Sequence, residues 1–436
     1  MVRTEFSVQL VRFLGCEVRP GFCEELAARG LVPGDSGPEL VLFERFDADL
    51  PALFAAGQSL AIALTPEALQ QATVPLLRGG ALDVLDARSP AFAERAYALI
   101  EHRARIDRLL ESPLVSQNIA GTSRRFRDTL RRLVELSQTE ASVLLAGETG
   151  TGKELMARLL HGLDPREKKG ALVVLDCTTL VAELSGSELF GHERGAFTGA
   201  LTAREGVIAQ AENGTLFLDE IGELSLSLQA QLLRLIQERS YRRVGSDNWR
   251  NSSFRLICAT HRDLEAEVQQ GRFRADLFYR LAGSSVRLPS LRERPGDVVP
   301  LARFFLRDVS KGRYSEFDRM VEDHLASRAF PGNVRELRQL VGRSFHRWVG
   351  PGPLGYSSLP EEEWSLPAVD LERELEPALR KALAARMGLK EIGHLSRELT
   401  VKLAIEDAGG NLQRAAELLG VTDRALQMRR AQKLEA

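Results

Sequence analysis

The residues best suited to chemistry form a glycine-rich stretch, G-E-T-G-T-G-K-E, at Gly147–Glu154. An apolar run precedes this stretch and a helical pattern follows it, so the predicted order is buried strand, loop and helix. In such a loop the backbone N–H groups and the positive end of the helix bind polyphosphate, and the lysine reaches the outer phosphates. The general pattern has Ser or Thr after the lysine to hold magnesium, whereas this chain has Glu154. We expect the loop to bind ATP through Gly147, Glu148, Thr149, Gly150, Thr151, Gly152, Lys153 and Glu154.

A second stretch supplies the acids that an ATPase needs opposite its phosphate-binding loop. The apolar run Leu216–Leu218 ends in Asp219 and Glu220. We predict that Asp219 holds magnesium and that Glu220 polarises the attacking water. A further apolar strand ends in Thr260, which is predicted to sense the terminal phosphate. The glycine loop by itself would also fit a turn that binds nothing, but the two motifs in this order predict ATP hydrolysis with Mg²⁺.

Between these motifs lies the block G-A-F-T-G-A, at Gly195–Ala200. An apolar Phe197 between glycines contributes little to folding and suits contact with a partner; the alternative is a loop packed onto its own domain. With this block and several others, the chain resembles the sigma-54-dependent transcriptional activators, a family of the AAA+ class of ATPases. The other matching stretches are Gly147–Glu154, Gly214–Leu224, Cys258–Thr260, Phe273–Leu281, Leu288–Asp297 and Phe330–Leu337.

The resemblance implies functions for several residues whose type alone does not reveal a function. Arg274 and Arg280 match the arginine fingers, which reach the phosphate from a neighbouring subunit, so active sites would form between subunits of a ring. Arg335 matches the sensor arginine of a helical lid. The implied partners are the sigma-54 RNA polymerase holoenzyme, upstream enhancer DNA and further copies of the chain, from a dimer to a hexameric ring. The implied sigma-54 contacts are Gly195, Ala196, Phe197, Thr198, Gly199 and Ala200.

Two positions depart from the family pattern. Asp176 stands where the family usually has an asparagine that hydrogen-bonds the catalytic glutamate. Because two neighbouring carboxylates repel each other, we predict an altered switch between Asp176 and Glu220 and a changed basal ATPase rate. His261 replaces a usual asparagine beside Thr260, so the sensor is also predicted to differ.

Length and composition set the broad class. A chain of 436 residues is expected to form about three domains. The net charge of −2 provides no general attraction to nucleic acid, so contact with DNA requires a local basic patch. No apolar run is long enough to span a bilayer, and the four cysteines lack metal-ligand spacing. These features predict a protein of the reduced cytoplasm without a membrane segment.

Residues 1 to about 112 are predicted to form a small α/β domain, because short apolar runs alternate with helical patterns. The predicted strands are Leu40–Phe43, Leu60–Leu64 and Ala81–Leu85. The domain resembles the receiver domain of response regulators, but Glu44 stands at the position of the phosphorylated aspartate. We predict a degenerate receiver used for protein contact; the alternative is an unrelated small domain. The helical pattern at Pro90–Leu110 fits either a connecting helix with a dimer seam or a solvated amphipathic helix.

Three further segments complete the predicted organisation. Residues 115–349 form the ATPase domain, with a helical lid at about 297–349. Residues 350–393 are rich in Gly and Pro at their start and are predicted to be a linker. Residues 394–436 contain three helical patterns broken by glycines: Glu398–Ala408, Leu412–Leu419 and a final helix from Thr422 to about Lys433. This arrangement is typical of a helix-turn-helix and resembles the Fis-type DNA-binding end of the same family. The predicted DNA contacts are Thr422, Arg424, Gln427, Arg429, Arg430 and Lys433.

The predicted fold class is α/β: an AAA+ P-loop ATPase core with a helical lid, preceded by a receiver-like α/β domain and followed by a three-helix helix-turn-helix domain. The predicted function is a sigma-54-dependent activator that binds upstream DNA. It would use ATP hydrolysis in a ring to convert a closed polymerase complex into an open one. One alternative is an ATP-independent DNA-binding regulator with a vestigial AAA+ core. Another is an AAA+ remodeller of a different client.

Overall fold

The computed structural model describes residues 5–12, 17–54, 59–181, 184–314, 316–364, 371–408 and 411–421. The chain divides into two compact units, Met1–Pro360 and Glu361–Ala436. The first unit contains two five-stranded parallel sheets and a group of lid helices, and the second is helical. The parallel sheets confirm the α/β fold class. Among the described residues, no helix combines the length and the apolar character needed to cross a membrane.

The N-terminal sheet has the strand order β2-β1-β3-β4-β5, and all its pairs are parallel. This is the order of flavodoxin-like doubly wound folds. All three predicted strands are confirmed with shifted ends, as β3, β4 and β5, whereas the first two observed strands were not predicted. The strands are β1 (Phe6–Arg12), β2 (Leu31–Pro33), β3 (Glu39–Phe43), β4 (Leu60–Ala63) and β5 (Val84–Asp86); the helices are α1 (Phe22–Ala28), α2 (Pro66–Gly79) and α3 (Phe92–Leu110).

The connection between β2 and β3 is unusually short for parallel strands, which normally need a dozen or more residues between them. It is possible because β2 pairs with the first half of β1 and β3 with the second half, on opposite sides. The connecting residues therefore cross β1 near its middle. A side chain at Gly37 would bring its Cβ within 1.9 Å of the Ser7 carbonyl oxygen, so only glycine fits at this crossing.

Helix α3 joins the N-terminal domain to the ATPase core. Its second half packs against a helix of the core, at Arg124–Ser137, and Ile106 is fully buried there. Asp107 lies 3.8 Å from Arg131 of that helix. This end of the predicted Pro90–Leu110 helix is therefore packed within its own chain rather than solvated on all sides.

The ATPase core surrounds a second parallel sheet, with the strand order β14-β6-β13-β10-β7. Two short antiparallel hairpins, β8–β9 and β11–β12, project from it. The strands are β6 (Val143–Ala146), β7 (Leu172–Asp176), β8 (Gly191–His192), β9 (Arg204–Glu205), β10 (Thr215–Asp219), β11 (Ser240–Tyr241), β12 (Arg250–Asn251), β13 (Arg255–Thr260) and β14 (Ser285–Arg287). The helices are α4 (Pro113–Ser116), α5 (Arg124–Ser137), α6 (Lys153–Gly162), α7 (Ser185–Phe190), α8 (Val207–Gln210), α9 (Leu226–Glu238), α10 (Leu264–Gln269) and α11 (Ala275–Ala282).

The order of strands explains where the site forms. Strands β6, β13, β10 and β7 are neighbours and run in the same direction, so their carboxyl ends meet at one edge of the sheet. Ligands bind at this edge in open parallel sheets. The loop after β6, the acids after β10 and Thr260 at the end of β13 are thereby brought together.

The helical lid consists of α12 (Val298–Val309), α13 (Arg319–Ser327) and α14 (Asn333–Arg347), as predicted for about 297–349. Its core also includes Leu354 and Leu359, which are 2% and 1% exposed. The Leu354 backbone donates to the Glu316 carbonyl oxygen and accepts from the Asp318 amide. The prediction of a flexible linker from residue 350 is therefore wrong for its first ten or so residues. Apolar side chains among the glycines and prolines anchor this segment.

The second unit contains α15 (Leu371–Ala384), α16 (Leu389–Asp407) and α17 (Leu412–Leu419). Small side chains pack between α16 and α17, at Ala404, Ala408, Ala415 and Ala416. The helices predicted at Glu398–Ala408 and Leu412–Leu419 are confirmed, although α16 begins nine residues earlier. The predicted final helix lies outside the described residues, together with Thr422, Arg424, Gln427, Arg429, Arg430 and Lys433.

Candidate active site

The glycine loop connects β6 to α6, and Lys153 is the first residue of that helix. The Lys153 side chain is only 7% exposed. Its Nζ donates a hydrogen bond of 3.0 Å to the Gly147 carbonyl oxygen and lies 3.3 Å from Glu220 Oε1. The ammonium group is therefore held by its own loop and by a carboxylate of the neighbouring strand end, next to the backbone amides that would bind phosphate.

The two predicted acids lie at the end of β10. Glu220 has φ 53° and ψ 52°, a left-handed conformation that is uncommon for a residue other than glycine and is typical of functional sites. Burial and the nearby charge of Glu220 raise the pKa of Asp219 above its ordinary value. This crowding of negative charge is what a cation would relieve, so Asp219 fits the predicted magnesium site.

No group of three or more His, Cys, Asp or Glu side chains within the described residues is arranged to hold a metal ion. A magnesium site with one carboxylate agrees with this finding, because Mg²⁺ usually binds through one or two carboxylates together with water and substrate phosphates.

Glu220 is held mainly by His261, the residue that follows β13. Glu220 Oε2 accepts hydrogen bonds from the His261 backbone amide at 3.1 Å and from its Nδ1 at 2.7 Å. Burial alone would raise the pKa of Glu220, but the hydrogen bonds from His261 and the charge of Lys153 outweigh it, so this pKa lies below its usual value. Glu220 is therefore ionised in this arrangement.

Asp176, the predicted switch partner of Glu220, faces a different neighbour. Its Oδ1 accepts hydrogen bonds from the Thr178 amide at 2.9 Å and from the Thr178 hydroxyl at 2.7 Å. Across the described part of the chain, the hydrogen-bonding partner of Glu220 is His261 and not Asp176. Asp176 and Glu220 are therefore bonded to different neighbours in this structure, and the altered switch between them stays a prediction. The physical reason is local, since Asp176 caps the short 3₁₀ turn that follows β7.

Thr260 is buried at the end of β13, beside the glycine loop. Its carbonyl oxygen accepts a hydrogen bond from the Gly147 amide at 3.1 Å, and its hydroxyl accepts one from the Arg262 amide at 3.0 Å. The strand end thus connects the glycine loop to His261 and Glu220, which is where a sensor of bound phosphate would need to be.

The lid contacts the glycine loop through the start of α14. The Arg335 amide donates to the Gly150 carbonyl oxygen at 3.2 Å, so this predicted sensor residue lies against the loop. Asn333 donates through Nδ2 to the Thr149 carbonyl oxygen at 3.0 Å and to Glu148 Oε2 at 3.2 Å. Sequence reasoning missed Asn333. Its signal was an asparagine at a helix start, because asparagine tolerates the positive φ of 54° seen there.

The predicted arginine fingers lie on the surface around α11. Arg274 precedes this helix, and its guanidinium binds the Asp276 carboxylate at 2.7 and 3.1 Å. The Arg274 amide donates to Gln229 Oε1, which anchors the start of the helix. Arg280 is exposed on the same helix. Both guanidinium groups are accessible from outside the subunit, as a contribution to a neighbour's site requires.

The G-A-F-T-G-A block forms the turn between β8 and β9. Gly195 and Gly199 have φ of 81° and 99°, a left-handed backbone that favours glycine. The Phe197 ring packs edge-on against His192, with ring centres 5.0 Å apart, and the side chain is 36% exposed. Phe197 is therefore partly packed and partly available at the surface, between the two arrangements considered from the sequence. Thr198 is exposed.

A second loop, Arg242–Trp249, supports the first one and was not predicted. A Cβ at Gly245 would lie 2.8 Å from the Ala196 Cβ, so the two loops touch. Arg243 binds Glu193 at 3.2 Å and Glu205 at 2.7 Å, and these two residues flank the turn. The only sequence signal was a run of arginines in a loop, which by itself resembles an ordinary charged surface.

The fold and the site together define a AAA+ P-loop ATPase core: a parallel sheet, a glycine loop with its lysine, two acids on a neighbouring strand and a helical lid on the loop. Comparison with known proteins agrees with this class. The sigma-54 interaction domain model matches residues 119–287, and the AAA+ ATPase lid domain model matches residues 292–362.

Curated relatives extend the match beyond the ATPase core. The transcriptional regulatory protein ZraR of Klebsiella oxytoca is 39% identical over 371 residues, which cover 81% of this chain and 78% of ZraR. The Nif-specific regulatory protein of Azotobacter vinelandii is 42% identical over 312 residues, covering 71% of this chain and 56% of that protein. The chain belongs to the family of sigma-54-dependent transcriptional activators.

A solved structure supports the fold over nearly the whole length. The crystal structure of NtrX from Brucella abortus in complex with ATP has a TM-score of 0.51 and 23% sequence identity, and the match covers 98% of both chains. At this level of identity the likeness shows the fold, including a domain before the ATPase core.

Proposed function

We propose that this protein activates transcription by the sigma-54 RNA polymerase holoenzyme, using ATP hydrolysis to convert a closed promoter complex into an open one. The observation that supports the proposal is the chain of contacts from Lys153 to Glu220 and from Glu220 to His261 at the end of the sheet. The lysine that would bind the phosphates and the carboxylate that would activate water lie 3.3 Å apart, which favours a working ATPase over a vestigial core. The family to which the chain belongs supplies the client.

The chemistry follows from charges already in place. Lys153 would exchange its contact with Glu220 for the outer phosphates of ATP, which carry more negative charge. Glu220 would then have Oε1 available to orient and polarise the attacking water. Asp219 would hold magnesium, which neutralises charge on the phosphates when it is bound with ATP.

The active site would be completed by a second copy of the chain. Arg274 and Arg280 would reach the transferring phosphate of the neighbouring subunit, where a guanidinium stabilises the charge of the transition state. Arg274 would leave Asp276 to do so, and this exchange is feasible because the pair is exposed. A closed ring, commonly of six subunits in this family, would be the working form, and a dimer would be the resting state.

The loop at Gly195–Ala200 would transmit the work to sigma-54. Phe197 would leave its partial packing on His192 when the nucleotide state changes, and Phe197 and Thr198 would contact the polymerase. The second loop would move with the first, because they share the contacts of Gly245 and Arg243.

The experiment is open-complex formation by purified sigma-54 holoenzyme on a promoter with upstream sites, with ATP or a non-hydrolysable analogue. We expect the wild type to form open complexes with ATP but not with the analogue, and we expect Lys153→Ala to form none with either nucleotide. Activation that is equal with both nucleotides would favour the ATP-independent DNA-binding regulator. Hydrolysis without open complexes would favour a remodeller of another client.

The terminal domains have separate roles in this proposal. Residues 394–436 would bind upstream enhancer DNA as a helix-turn-helix, which footprinting with the full chain tests. The N-terminal domain would be a degenerate receiver that regulates through protein contact. Incubation with a small phosphodonor should give no stable acyl phosphate on Glu44 or elsewhere in this domain. The polymerase and promoter on which the protein would act are in the cytoplasm.

A further inference from the structure

The catalytic carboxylate has two kinds of partner, and they differ in what nucleotide binding would do to them. Glu220 Oε1 faces Lys153 Nζ at 3.3 Å, a contact that ATP would replace. Glu220 Oε2 accepts two hydrogen bonds from a single residue, through the backbone amide and the Nδ1 of His261. Binding of the phosphates would leave the two hydrogen bonds from His261 in place, because they are made to Oε2 and the contact that ATP replaces is made to Oε1.

The histidine contact is short and direct. Nδ1 of His261 lies 2.7 Å from Glu220 Oε2, and in the tautomer with the proton on Nδ1 the ring donates this hydrogen bond to the carboxylate. His261 follows Thr260, whose carbonyl oxygen is bonded to the Gly147 amide of the glycine loop. The donor is therefore fixed to the same loop that would bind the phosphates.

Glu220 needs such a support for two reasons. Its backbone is left-handed, a conformation that costs energy in a residue other than glycine and persists only when neighbouring contacts hold it. Its side chain also loses a partner once Lys153 turns to the phosphates. Asp176 stands at the position from which the family usually holds the catalytic glutamate. It accepts hydrogen bonds from Thr178, and an ionised aspartate has no hydrogen to donate to Glu220.

We infer that His261 is the positioning residue that fixes Glu220 for attack on ATP, holding Oε2 so that Oε1 faces the water, and that it does so in place of Asp176. This inference rests on the proposed ATPase function and identifies the residue that sets the geometry of its catalytic carboxylate. It also explains how the chain works with an aspartate at position 176: the hydrogen-bond donor is on the neighbouring strand.

The test is steady-state ATP hydrolysis by the full chain. His261→Ala should lower kcat at least about tenfold, since a displaced catalytic group costs one to two orders of magnitude, while KM stays within about twofold. His261→Asn retains a side-chain donor and should recover most of the lost rate. The matched control is His102→Ala, which removes an exposed histidine from helix α3 and should leave hydrolysis unchanged.

A double-mutant cycle separates positioning from a general structural effect. If His261 acts through Glu220, then His261→Ala should cause no further loss in a Glu220→Gln background. Nucleotide binding and the thermal midpoint should match the wild type in every variant. An unchanged kcat in His261→Ala, a change confined to KM, or an additive loss in the cycle would overturn the inference.

Both the inference and the proposed function can fail independently. If the wild type hydrolyses ATP and the cycle behaves as expected, but no open complexes form, the sigma-54 function fails and the role of His261 stands. If open complexes form normally and His261→Ala hydrolyses ATP like the wild type, only the inference fails.

Discussion

Replacement of Arg243 by methionine should separate ATP hydrolysis from polymerase activation. Arg243 is 9% exposed and binds Glu193 and Glu205, the residues on either side of the hairpin that carries Phe197. Methionine keeps the apolar stem of the side chain and removes the charge, so the packing of the second loop is largely retained. The two hairpin ends would then lose their nearest common partner, and only the longer contacts of Arg250, at 3.9 Å from Glu193 and 3.8 Å from Glu205, would remain.

The expected size of the effect follows from these contacts. Hydrogen bonds to charged groups contribute about 1.5–3 kcal/mol each. Glu205 is 62% exposed and Glu193 36%, so solvent weakens both pairs and the lower end of this range applies to the two together. A loss of about 1.4 kcal/mol in the preference for the supported loop corresponds to roughly a tenfold lower population.

The assay is the yield of sigma-54 open complexes per ATP hydrolysed. We expect Arg243→Met to lower this yield about tenfold and to leave hydrolysis within about twofold, because its partners lie outside the glycine loop and the acids of β10. Arg234→Met is the matched control. Arg234 and Arg243 both line a cavity of about 640 Å³ beside the second loop, but Arg234 is exposed and pairs with Glu238 on its own helix.

Two results would refute this reasoning. If Arg243→Met hydrolyses ATP as poorly as it activates transcription, the side chain supports the whole core rather than the loop. If Arg234→Met loses as much activation as Arg243→Met, the charge of the cavity matters and the bridge between Glu193 and Glu205 does not.

Three further predictions concern the core, the ring and the fold. Phe197→Ala should keep ATP hydrolysis near the wild-type rate and abolish open complexes, and retained activation would contradict the proposed sigma-54 contact. Lys153→Ala and Arg274→Ala should each be inactive. In an equal mixture, up to about a quarter of the subunit boundaries pair an intact loop with an intact arginine, and these boundaries should recover hydrolysis. A mixture that forms rings and stays inactive would argue against sites shared between subunits. Asp297 is fully buried and accepts three hydrogen bonds from the segment before α5, so Asp297→Ala should lower the free energy of unfolding in urea by about 3–5 kcal/mol, and a change below about 1 kcal/mol would show that water replaces these bonds.

The sequence was sufficient to predict the nucleotide site in outline, for a physical reason. Apolar runs identified β6, β10 and β13, and each is followed by a glycine loop or polar residues. Parallel strands expose their carboxyl ends at one edge, so the sequence already implies that Lys153, Asp219 and Thr260 lie at the same edge of the sheet. The spatial order, with β13 between β6 and β10, is what makes them neighbours. The lid was located by the resemblance of Phe330–Leu337 to the family, and helices α12 to α14 lie in the range expected for it.

Composition was a poorer guide where a few apolar residues decide the packing. The glycines and prolines after residue 350 indicated a linker, yet Leu354 and Leu359 are buried in the lid core. In the N-terminal domain, β1 alternates apolar and polar residues from Phe6 to Leu10, a strand signal that the sequence reasoning missed. The three residues of β2 are too few to show a pattern, and this strand is defined by its pairing with β1. Burial of this kind depends on neighbours that are distant in sequence.

By itself, the sequence determined the class of ATPase, the loop that binds phosphate, the acids that face it and the family of the chain. Only the tertiary structure decided which side chains hold one another: His261 rather than Asp176 on Glu220, Asn333 on the glycine loop, and Arg243 between Glu193 and Glu205. Hydrogen bonds and ion pairs act over about 3 Å and depend on direction, so a one-residue difference at a strand end changes the partner. Residue type and spacing along the chain do not specify the distance between two side chains that are far apart in sequence. That distance is set only when the strands and loops pack together.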